Sequence, residues 1–368
     1  MAENNEIKKA IEHFAFSGTL AESIPFGNGH INDTYRLTFS QGEKQKRYIL
    51  QRLNKNIFKR PVEVMENIRG VTGWIRRKLE ENGGDVEREV LNIISSHDGK
   101  PYYVDEQGEF WRAYGFIEGA SCFDAVEKEE DFYESAVAFG RFQGLLADYP
   151  ADTLHETIRD FHNTPKRFCA FQDAVAADIC GRKEGVKKEI QFVLDREELT
   201  HVLCDLQKEG KLPLRVTHND TKLNNIMIDN ATRKAICVID LDTVMPGLSV
   251  NDFGDSIRFG ASTGAEDERD LDKISCDLHL FELYVKGYIE GCKGSLTEME
   301  LEMLPMGAIL MTFECGIRFL TDYLEGDHYF KIHREDHNLD RCRTQFKLVK
   351  DMEEKLPQMK AIVKKYKQ

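Results

Sequence analysis

One stretch of the chain, residues 215–243, limits the possible folds more than any other part of the sequence. It contains short apolar runs that are typical of strands, with acidic and amide residues between or directly after them. Asp220 lies in the loop after the first run, Asn225 lies five positions later, and Asp240 follows the apolar run Ile-Cys-Val-Ile. An aspartate at the end of a buried strand is unfavourable unless its charge is compensated, and a divalent cation can do so. The stretch therefore offers oxygen ligands of the kind that Mg²⁺ accepts.

The spacing of these residues is that of a phosphoryl-transfer loop. In kinase catalytic loops an aspartate accepts the proton of the substrate hydroxyl and an asparagine binds Mg²⁺. Here residues 218–225 read His-Asn-Asp-Thr-Lys-Leu-Asn-Asn, with Lys222 close behind Asp220. Asp240 follows Asp220 by 20 residues, and Asp242 is a further acidic candidate. An isolated Asp and Asn at this spacing is common by chance, whereas the complete motif between strand-like runs indicates a phosphotransferase site. We interpret His218 as a support for the loop.

The motif resembles that of the aminoglycoside phosphotransferase and choline kinase superfamily, since Leu-Asp stands after Asp240 where protein kinases have Phe-Gly. The loop and the later run Val-Ile-Asp-Leu-Asp-Thr-Val-Met-Pro-Gly are most similar to the N-acetylhexosamine 1-kinases, and the resemblance extends from Gly27 to about Lys350. It implies an α+β, protein-kinase-like two-lobed fold. The N-terminal lobe would be a small antiparallel sheet, and the C-terminal lobe would be large and mainly helical.

The length of the chain also favours two lobes, because 368 residues exceed the size at which one core usually suffices. We expect a nucleotide-binding lobe over residues 1–118 and a catalytic and acceptor-binding lobe over residues 119–368. The run Trp-Arg-Ala-Tyr-Gly-Phe-Ile-Glu-Gly at residues 111–119 predicts the hinge strand between them, with an ordinary edge strand as the alternative. The resemblance implies that adenine binds to the backbone of Gly115 and Ile117.

Residues 26–39 predict a hairpin with a Gly-Asn-Gly tip. Glycines at such a tip adopt positive φ and bring backbone N–H groups close to a ligand. Taken in isolation the tip favours a plain turn, but upstream of a kinase-like loop we expect it to cover the phosphates. The candidate nucleotide contacts in this hairpin are Gly27, Asn28, Gly29, His30, Asn32 and Thr34.

The strand predicted at residues 47–53 lacks the lysine with which kinases hold the α- and β-phosphates. Period-two alternation places Gln51 and Arg52 on opposite faces, and Arg52 is the candidate substitute, with a solvated strand residue as the alternative. A helix is predicted at residues 58–79. Its Glu63 and Glu66 are candidate acidic partners of the substitute cation, or members of a solvated helix face.

The rest of the chain is predicted to be mostly helical. Asp252 matches an aspartate that supports the catalytic loop in related enzymes; the alternative is an N-cap, and one residue could fill both roles. Arg318, Asp322 and Tyr329 lie where the hexosamine kinases bind their sugar, while a surface row of charges is the alternative for Glu314, Arg318 and Asp322. Periodicity predicts helices over residues 127–148, 163–178, 184–209, 270–292, 297–324 and 338–366.

The composition of the chain limits which binding partners and which cellular compartment we expect. A net charge of −14 argues against nucleic acid as a partner. Nine cysteines without a Cys-x-x-Cys pair indicate a reduced, cytoplasmic protein. From the polar, acidic N-terminus we expect no signal peptide. We also expect no membrane span, because the sequence contains no run of 18 apolar residues. We therefore expect a small-molecule substrate, no membrane partner and no obligate protein partner.

The resemblance implies an ATP-dependent kinase with Mg²⁺ bound to Asn225 and Asp240, and with Asp242 as a further ligand. Asp220 would take the proton of the acceptor hydroxyl, and Lys222 would neutralise charge on the transferred phosphoryl group. Three hypotheses remain open. The acceptor is the anomeric hydroxyl of an N-acetylhexosamine, or it is another small alcohol such as choline, homoserine, methylthioribose or an aminoglycoside. The third hypothesis is a nucleotide-binding regulator without turnover.

Overall fold

The computed structural model describes residues 2–27, 31–123 and 128–367. The chain divides into two compact units, each assembled from three segments. The first unit consists of Met1–Cys122, Asp148–Ile158 and Ile226–Met245, and the second of Phe123–Ala147, Arg159–Asn225 and Pro246–Gln368. The domain boundary near Glu118 remains a prediction; the segment of the first unit that contains this residue extends to Cys122.

An antiparallel sheet is the main element of the first unit. Its strands are β1 (Thr19–Pro25), β2 (Asp33–Gln41), β3 (Lys44–Leu53), β4 (Ile93–Ile94), β5 (Tyr103–Val104) and β6 (Phe110–Gly115). The spatial order is β1-β2-β3-β6-β4, and β5 also pairs with β6. The apolar residues of β2 alternate with polar ones, and Tyr35, Leu37 and Phe39 pack in one buried cluster with residues of helix α1 (Ala2–Glu12). Helix α2 (Pro61–Glu81) begins with proline, whose fixed φ suits a first helical turn.

A smaller three-stranded sheet completes the first unit. It contains β7 (Ala120–Ser121), β9 (Ile226–Asp229) and β10 (Ala235–Val238), in the order β10-β9-β7. The strand β10 is the predicted apolar run that precedes Asp240, so the strand prediction is confirmed there. Arg88 binds Asp229 at 2.6 Å, which ties the end of β9 to the segment before β4.

The second unit is mainly helical. Its elements are α3 (Glu129–Leu145), α4 (Thr164–Ala177), α5 (Lys187–Leu194), α6 (Glu197–Lys208), β8 (Arg215–Thr217), α7 (Ser249–Gly260), α8 (Leu278–Cys292), α9 (Glu298–Glu325) and α10 (His337–Tyr366), and β11 (Met245–Gly247) begins at the last residue of the first unit. The prediction of a single helix over residues 184–209 is wrong, because the helix is interrupted between α5 and α6. At the break, Arg196 donates to the Phe192 carbonyl at 3.2 Å and to Glu353 at 2.9 and 2.8 Å.

Close helix packing fixes the position of α7. A side chain on Gly254 would collide with the Gly307 carbonyl of α9, and one on Gly307 would collide with the Val250 carbonyl of α7. The backbones of α7 and α9 therefore lie almost in contact. Helix α9 is also the one described helix that is long and apolar enough to cross a membrane, but 83% of its most apolar window is buried inside the protein. Burial of that kind is also found in the core helices of globular proteins.

Candidate active site

The catalytic-loop motif lies directly after β8 and carries its acidic residue in a partly exposed position. Asp220 Oδ1 lies 2.7 Å from Lys222 Nζ. Asn225 Nδ2 donates to the Asp220 carbonyl at 2.8 Å and to Asp220 Oδ2 at 3.1 Å. Both protons of the Asn225 amide are thus directed at Asp220, which orients the amide oxygen away from it. That oxygen is the atom with which Asn225 would bind a cation.

Asp252 holds the backbone of the loop. Its carboxylate accepts the N–H of His218 and the N–H of Asn219, both at 2.8 Å, and Gln143 Nε2 at 3.2 Å. Helix α7 begins at Ser249, so Asp252 lies within its first turn and the N-cap alternative is wrong. Burial raises the pKa of Asp252, while the two backbone donors oppose that rise. The predicted support of the catalytic loop by Asp252 is therefore confirmed.

His218 is fully buried beneath the loop. Its ring packs edge-on against Phe139 and Phe142, with centroid separations of 5.5 and 6.1 Å. Its Nδ1 accepts the Asp220 N–H at 3.3 Å. These contacts agree with the supporting role that the sequence predicted for this histidine.

Lys222 remains a cation over the ordinary pH range. Burial lowers its pKa, but Asp220 outweighs burial and holds that pKa above the usual lysine value. Below the loop, Asp255 Oδ2 accepts the Thr221 N–H at 3.3 Å and Asp255 Oδ1 binds Arg258 Nη2 at 2.9 Å. The cation at position 222 is thus held next to the carboxylate of Asp220.

In the first unit the two aspartates after β10 have opposite surroundings. Asp240 is exposed and has a left-handed backbone, with φ of 57°. Asp242 is buried, binds Arg112 through Oδ1 and accepts Asn32 Nδ2 through Oδ2 at 2.8 Å. Asp240 is thus the exposed aspartate of the two, and Asp242 is the buried one, which two protein donors hold.

Arg112 on β6 is the residue that the sequence reasoning missed. Its side chain is fully buried, and its Nε donates to Gln51 Oε1 at 2.9 Å. Burial lowers the pKa of Arg112, but Asp242 outweighs burial and holds that pKa above its ordinary value. An arginine inside the apolar run Phe-Trp-Arg-Ala-Tyr is unusual for a core strand, and that was the available signal.

Arg52, the sequence candidate for the phosphate-binding cation, lies on the face of β3 opposite to Gln51 and Arg112. Its Nη2 binds Asp33 at 2.7 Å, its Nη1 lies 3.5 Å from Glu6, and its guanidinium lies over the Trp111 ring. The acidic candidates of α2 also have other partners, because Glu63 binds Arg60 at 2.8 Å and Glu66 binds His155 at 2.8 Å. The nucleotide role of Arg52 remains a prediction.

The remaining nucleotide candidates lie in the hairpin and at the end of β6. Asn28, Gly29 and His30 lie outside the described residues, and Gly27 has a positive φ of 81°. Thr34 Oγ1 accepts Gln51 Nε2 at 3.0 Å. Gly115 donates its N–H to Asn92 at 2.8 Å, whereas the backbone of Ile117 has no hydrogen-bond partner among the described residues. The nucleotide roles of Gly115 and Ile117 remain predictions.

The acceptor candidates lie in the second unit around α9. Arg318 lies over the rings of Phe161, Tyr329 and Phe330, at 5.8, 5.6 and 5.3 Å from their centroids. Tyr329 is 71% exposed. Asp322 is buried and accepts the N–H groups of residues 328, 329 and 330 and the Asn338 side chain. Asp322 therefore orders the loop that carries Tyr329.

The alternative of a surface charge ladder is wrong for this row. Glu314 is buried and binds His162 Nδ1 at 2.9 Å and Thr164 Oγ1 at 2.7 Å. A second arginine, which the sequence reasoning did not single out, lies near Arg318. Arg167 Nη2 donates to the Phe161 carbonyl at 3.1 Å, and its buried Nε has no partner within the described part of the chain. Burial and the Arg318 guanidinium both lower the pKa of Arg167.

A metal centre built from three or more His, Cys, Asp or Glu side chains does not occur among the described residues. The predicted Mg²⁺ ligands are of a different kind, one amide oxygen and one or two carboxylates. Their chemistry fits the ion, because Asn225 directs its N–H groups elsewhere and Asp240 is an exposed carboxylate.

Comparisons with known proteins agree with these features. The chain is similar in structure to a microcompartment-associated aminopropanol kinase (19% identity, 97% of this chain and 98% of that chain, TM-score 0.62). It is also similar to an aminoglycoside phosphotransferase from Alicyclobacillus acidocaldarius (11%, 97% and 96%, 0.64) and to a choline kinase from Cryptosporidium parvum (14%, 99% and 98%, 0.56). These similarities confirm the predicted α+β, protein-kinase-like two-lobed fold.

A sequence profile described as the phosphotransferase enzyme family matches residues 22–276. The matched segment is well over half of the chain, and it contains the catalytic-loop motif, Asp240 and Asp252. The protein therefore belongs to the phosphotransferase enzyme family and is an enzyme, a small-molecule kinase.

Proposed function

We propose that this enzyme transfers the γ-phosphoryl group of ATP to the anomeric hydroxyl of an N-acetylhexosamine. The observation that supports this acceptor best is the pair of guanidiniums at Arg167 and Arg318. Both contact Phe161, one through its carbonyl and one over its ring. Glu314 of α9 binds His162 and Thr164 directly, and it acts on the two guanidiniums through its charge, without a direct ion pair among the described residues.

Such a pair favours an acceptor rich in oxygen. Arginine donates several N–H groups and accepts none, so it binds hydroxyl and amide oxygens and repels an ammonium group. The Arg167 Nε that is buried without a partner is a donor that the acetamido carbonyl or a ring hydroxyl would satisfy. Tyr329 and Phe330 offer apolar ring faces beside Arg318, as a sugar ring requires. A cationic amino alcohol would meet the wrong charge at this place.

The catalytic roles follow from the loop geometry. Asp220, oriented by Asn225 and by the backbone bonds of the loop, accepts the proton of the acceptor hydroxyl as the new bond to phosphorus forms. Lys222, which lies next to Asp220, would neutralise charge that grows on the transferred phosphoryl group. Asp322 acts indirectly, because it orders the backbone of the loop that carries Tyr329. Phosphoryl transfer of this kind depends on positioning and electrostatics.

Asn225 and Asp240 are the residues that would hold Mg²⁺. When bound, the ion neutralises the charge of the β- and γ-phosphates. The hairpin residues Gly27 and Thr34 and the backbone of Gly115 and Ile117 are the proposed nucleotide contacts, together with Asn28, Gly29 and His30, which lie outside the described residues. The nine cysteines all lie among the described residues and none of them forms a disulfide, which is consistent with the cytoplasmic location that the sequence predicts.

The decisive experiment is ATP consumption against a panel of free sugars and amino alcohols, with phosphorus NMR on the product. We expect turnover with N-acetylglucosamine or N-acetylgalactosamine and an anomeric phosphate resonance. Turnover confined to choline, aminopropanol, homoserine or aminoglycosides would contradict the proposed acceptor and would leave the phosphotransferase assignment intact. ATP binding without turnover on any acceptor would favour the regulator.

The guanidinium pair gives the same panel an internal check. Glucosamine differs from N-acetylglucosamine by a protonated amine in place of the acetamide. We expect the wild-type enzyme to prefer the acetamide, and Arg318→Gln to reduce the ratio of the two kcat/KM values by about tenfold. Lys166→Gln, on the exposed side of α4, is the matched control and should leave the ratio unchanged. An unchanged ratio in Arg318→Gln would remove the support that this residue gives.

A further inference from the structure

We propose that Arg112 takes over, from the neighbouring strand, the positioning task that the third-strand lysine performs in kinases, and that Asp242 is its fixed counter-ion and not a metal ligand. The inference rests on the proposed use of ATP but not on the identity of the acceptor. All of the residues involved belong to the first unit. In this assignment Arg112 is a positioning residue, which acts through Asp242 and Asn32.

The first observation behind this proposal is the pairing of β3 with β6. Gln51 and Arg52 are consecutive residues of β3, so their side chains point to opposite faces of the sheet. The residue directly across from Gln51 on β6 is Arg112. The side chains of Gln51 and Arg112 share a face, because they are joined by a 2.9 Å hydrogen bond. The cation that β3 lacks at position 51 is therefore supplied by the neighbouring strand.

Burial carries the second step. The Arg112 and Asp242 side chains are 2% and 5% exposed, so each charge depends on the other for compensation. Asp242 uses its second oxygen for Asn32 at 2.8 Å. If Asp242 also bound Mg²⁺, the cation would lie next to a buried guanidinium, and the two positive charges would repel each other. Asp240, unlike Asp242, is exposed, and it remains the proposed Mg²⁺ ligand of the first unit.

A chain of hydrogen bonds carries the third step. From Arg112 it runs through Asp242 to Asn32, whose Oδ1 accepts the Asn54 N–H at 3.0 Å. In the other direction it runs from Arg112 through Gln51 Oε1 and on from Gln51 Nε2 to Thr34 Oγ1. Asn32 and Thr34 flank the start of β2, directly after the glycine-rich tip. Arg112 thus connects the base of the phosphate-covering hairpin with the segment that begins at Asp240.

The partner of Arg112 also differs from that expected in kinases. There the lysine pairs with a glutamate of the first long helix. Here α2 presents Met65 to Arg112, with Nη1 and Sδ 3.9 Å apart. The acidic residue comes instead from the segment after β10. Through this exchange, the base of the hairpin is bonded to the segment after β10 by way of Asp242.

The test is nucleotide binding, which needs no acceptor. ADP affinity with and without Mg²⁺ is measured by calorimetry on the full chain, together with ATP turnover. We expect Arg112→Gln to weaken ADP binding by about 10- to 100-fold and Arg112→Lys to weaken it less, as for other residues that orient a binding group. Arg77→Gln, an exposed arginine of α2, is the control and should bind like the wild type.

Relocation of the charge separates this role from a merely structural one. The double variant Gln51→Lys with Arg112→Gln returns the cation to β3, and we expect it to recover most of the lost ADP affinity. Arg112→Gln with wild-type affinity in its folded fraction would overturn the proposal. Weakened binding in Arg52→Gln but not in Arg112→Gln would do the same and would restore the cation that the sequence favoured.

The metal part of the proposal has its own readout. In Asp242→Asn, the Mg²⁺ concentration for half-maximal enhancement of ADP binding should stay within about twofold of the wild-type value, whereas in Asp240→Asn it should rise at least tenfold. A large rise in Asp242→Asn would make Asp242 a ligand and overturn its assignment as counter-ion. If the wild-type protein bound no adenine nucleotide at all, the proposed function itself would fail, and this result differs from every outcome above.

Discussion

The pair Arg112–Asp242 in the first unit and the pair Lys222–Asp220 in the second have the same chemistry in opposite surroundings. The first pair is 2% and 5% exposed, whereas the second is 40% and 29% exposed. Loss of one partner from a buried ion pair strongly destabilises the folded protein, because the other charge stays buried without compensation. A partly exposed pair contributes little to the stability of the protein. The difference teaches that exposure separates a carboxylate that organises the protein from one that is available to a substrate.

The largest effect should come from the exposed pair and should appear in catalysis. Asp220→Asn removes the proton acceptor, so we expect kcat to fall by about 10²- to 10⁴-fold. ADP affinity and the unfolding temperature should remain near the wild-type values, because the pair is partly exposed. Steady-state kinetics, calorimetry and thermal unfolding check these three points.

The control for this variant is Asp205→Asn, which alters an exposed acidic residue that binds Lys208 at 2.9 Å on α6. It should change none of the three quantities. Near-normal turnover of Asp220→Asn would refute the base assignment and would also break the contrast between the two pairs.

The corresponding change in the buried pair should appear in stability. Asp242→Ala leaves the Arg112 guanidinium buried without its partner, and we expect a loss of about 3–5 kcal/mol in the free energy of unfolding. Urea unfolding, followed by a probe in the first unit, measures it. Glu80→Ala removes a 3.8 Å exposed contact with Arg76 on α2 and should change stability by less than about 1 kcal/mol. Equal midpoints for the two variants would contradict the contrast.

A smaller effect is expected where a buried carboxylate supports the exposed one. Asp252→Asn replaces one of the two oxygens that accept the His218 and Asn219 N–H groups by an amide nitrogen. Loss of one charge-assisted bond of about 1.5–3 kcal/mol should lower kcat by roughly tenfold or more. Asp173→Asn, exposed on α4, is the control in kinetic assays. A change in ADP affinity alone, with kcat intact, would show that Asp252 does not act through the loop.

The smallest expected effect is in the reactivity of the cysteines, which tests the comparison of the two ion pairs without an activity assay. At pH 8 we expect the exposed Cys122, Cys169 and Cys180 to react quickly with a thiol reagent. Burial raises the pKa of Cys276 to about 12 and that of Cys315 to about 11, so these thiols should react only slowly.

Cys237 is buried on β10 and belongs to the first unit. In Asp242→Ala it should become reactive while Cys276 and Cys315 of the second unit remain protected. Simultaneous exposure of the thiols of both units would mean that the buried pair stabilises the whole chain rather than the first unit.

Much of the secondary structure followed from the sequence because its signals are local. The apolar run before Asp240 is β10, and the long periodic segment at residues 338–366 is α10. The break after α5 did not follow from periodicity, and at that break Arg196 binds Glu353, which is far away in the sequence. The row Glu314, Arg318 and Asp322 was similarly ambiguous, since periodicity places residues on one face without stating what that face contacts.

The catalytic motif was readable because its residue types and spacing are fixed by the chemistry of phosphoryl transfer. The sequence by itself determined the family, the loop that carries Asp220 and Asn225, and the alternation that puts Gln51 and Arg52 on opposite faces. Only the tertiary structure decided which face is buried, that Arg112 on another strand supplies its cation, and that Asp242 is the partner. The physical reason is that compensation of a buried charge depends on distance in space, and residues 51, 112 and 242 meet only after the sheet has formed.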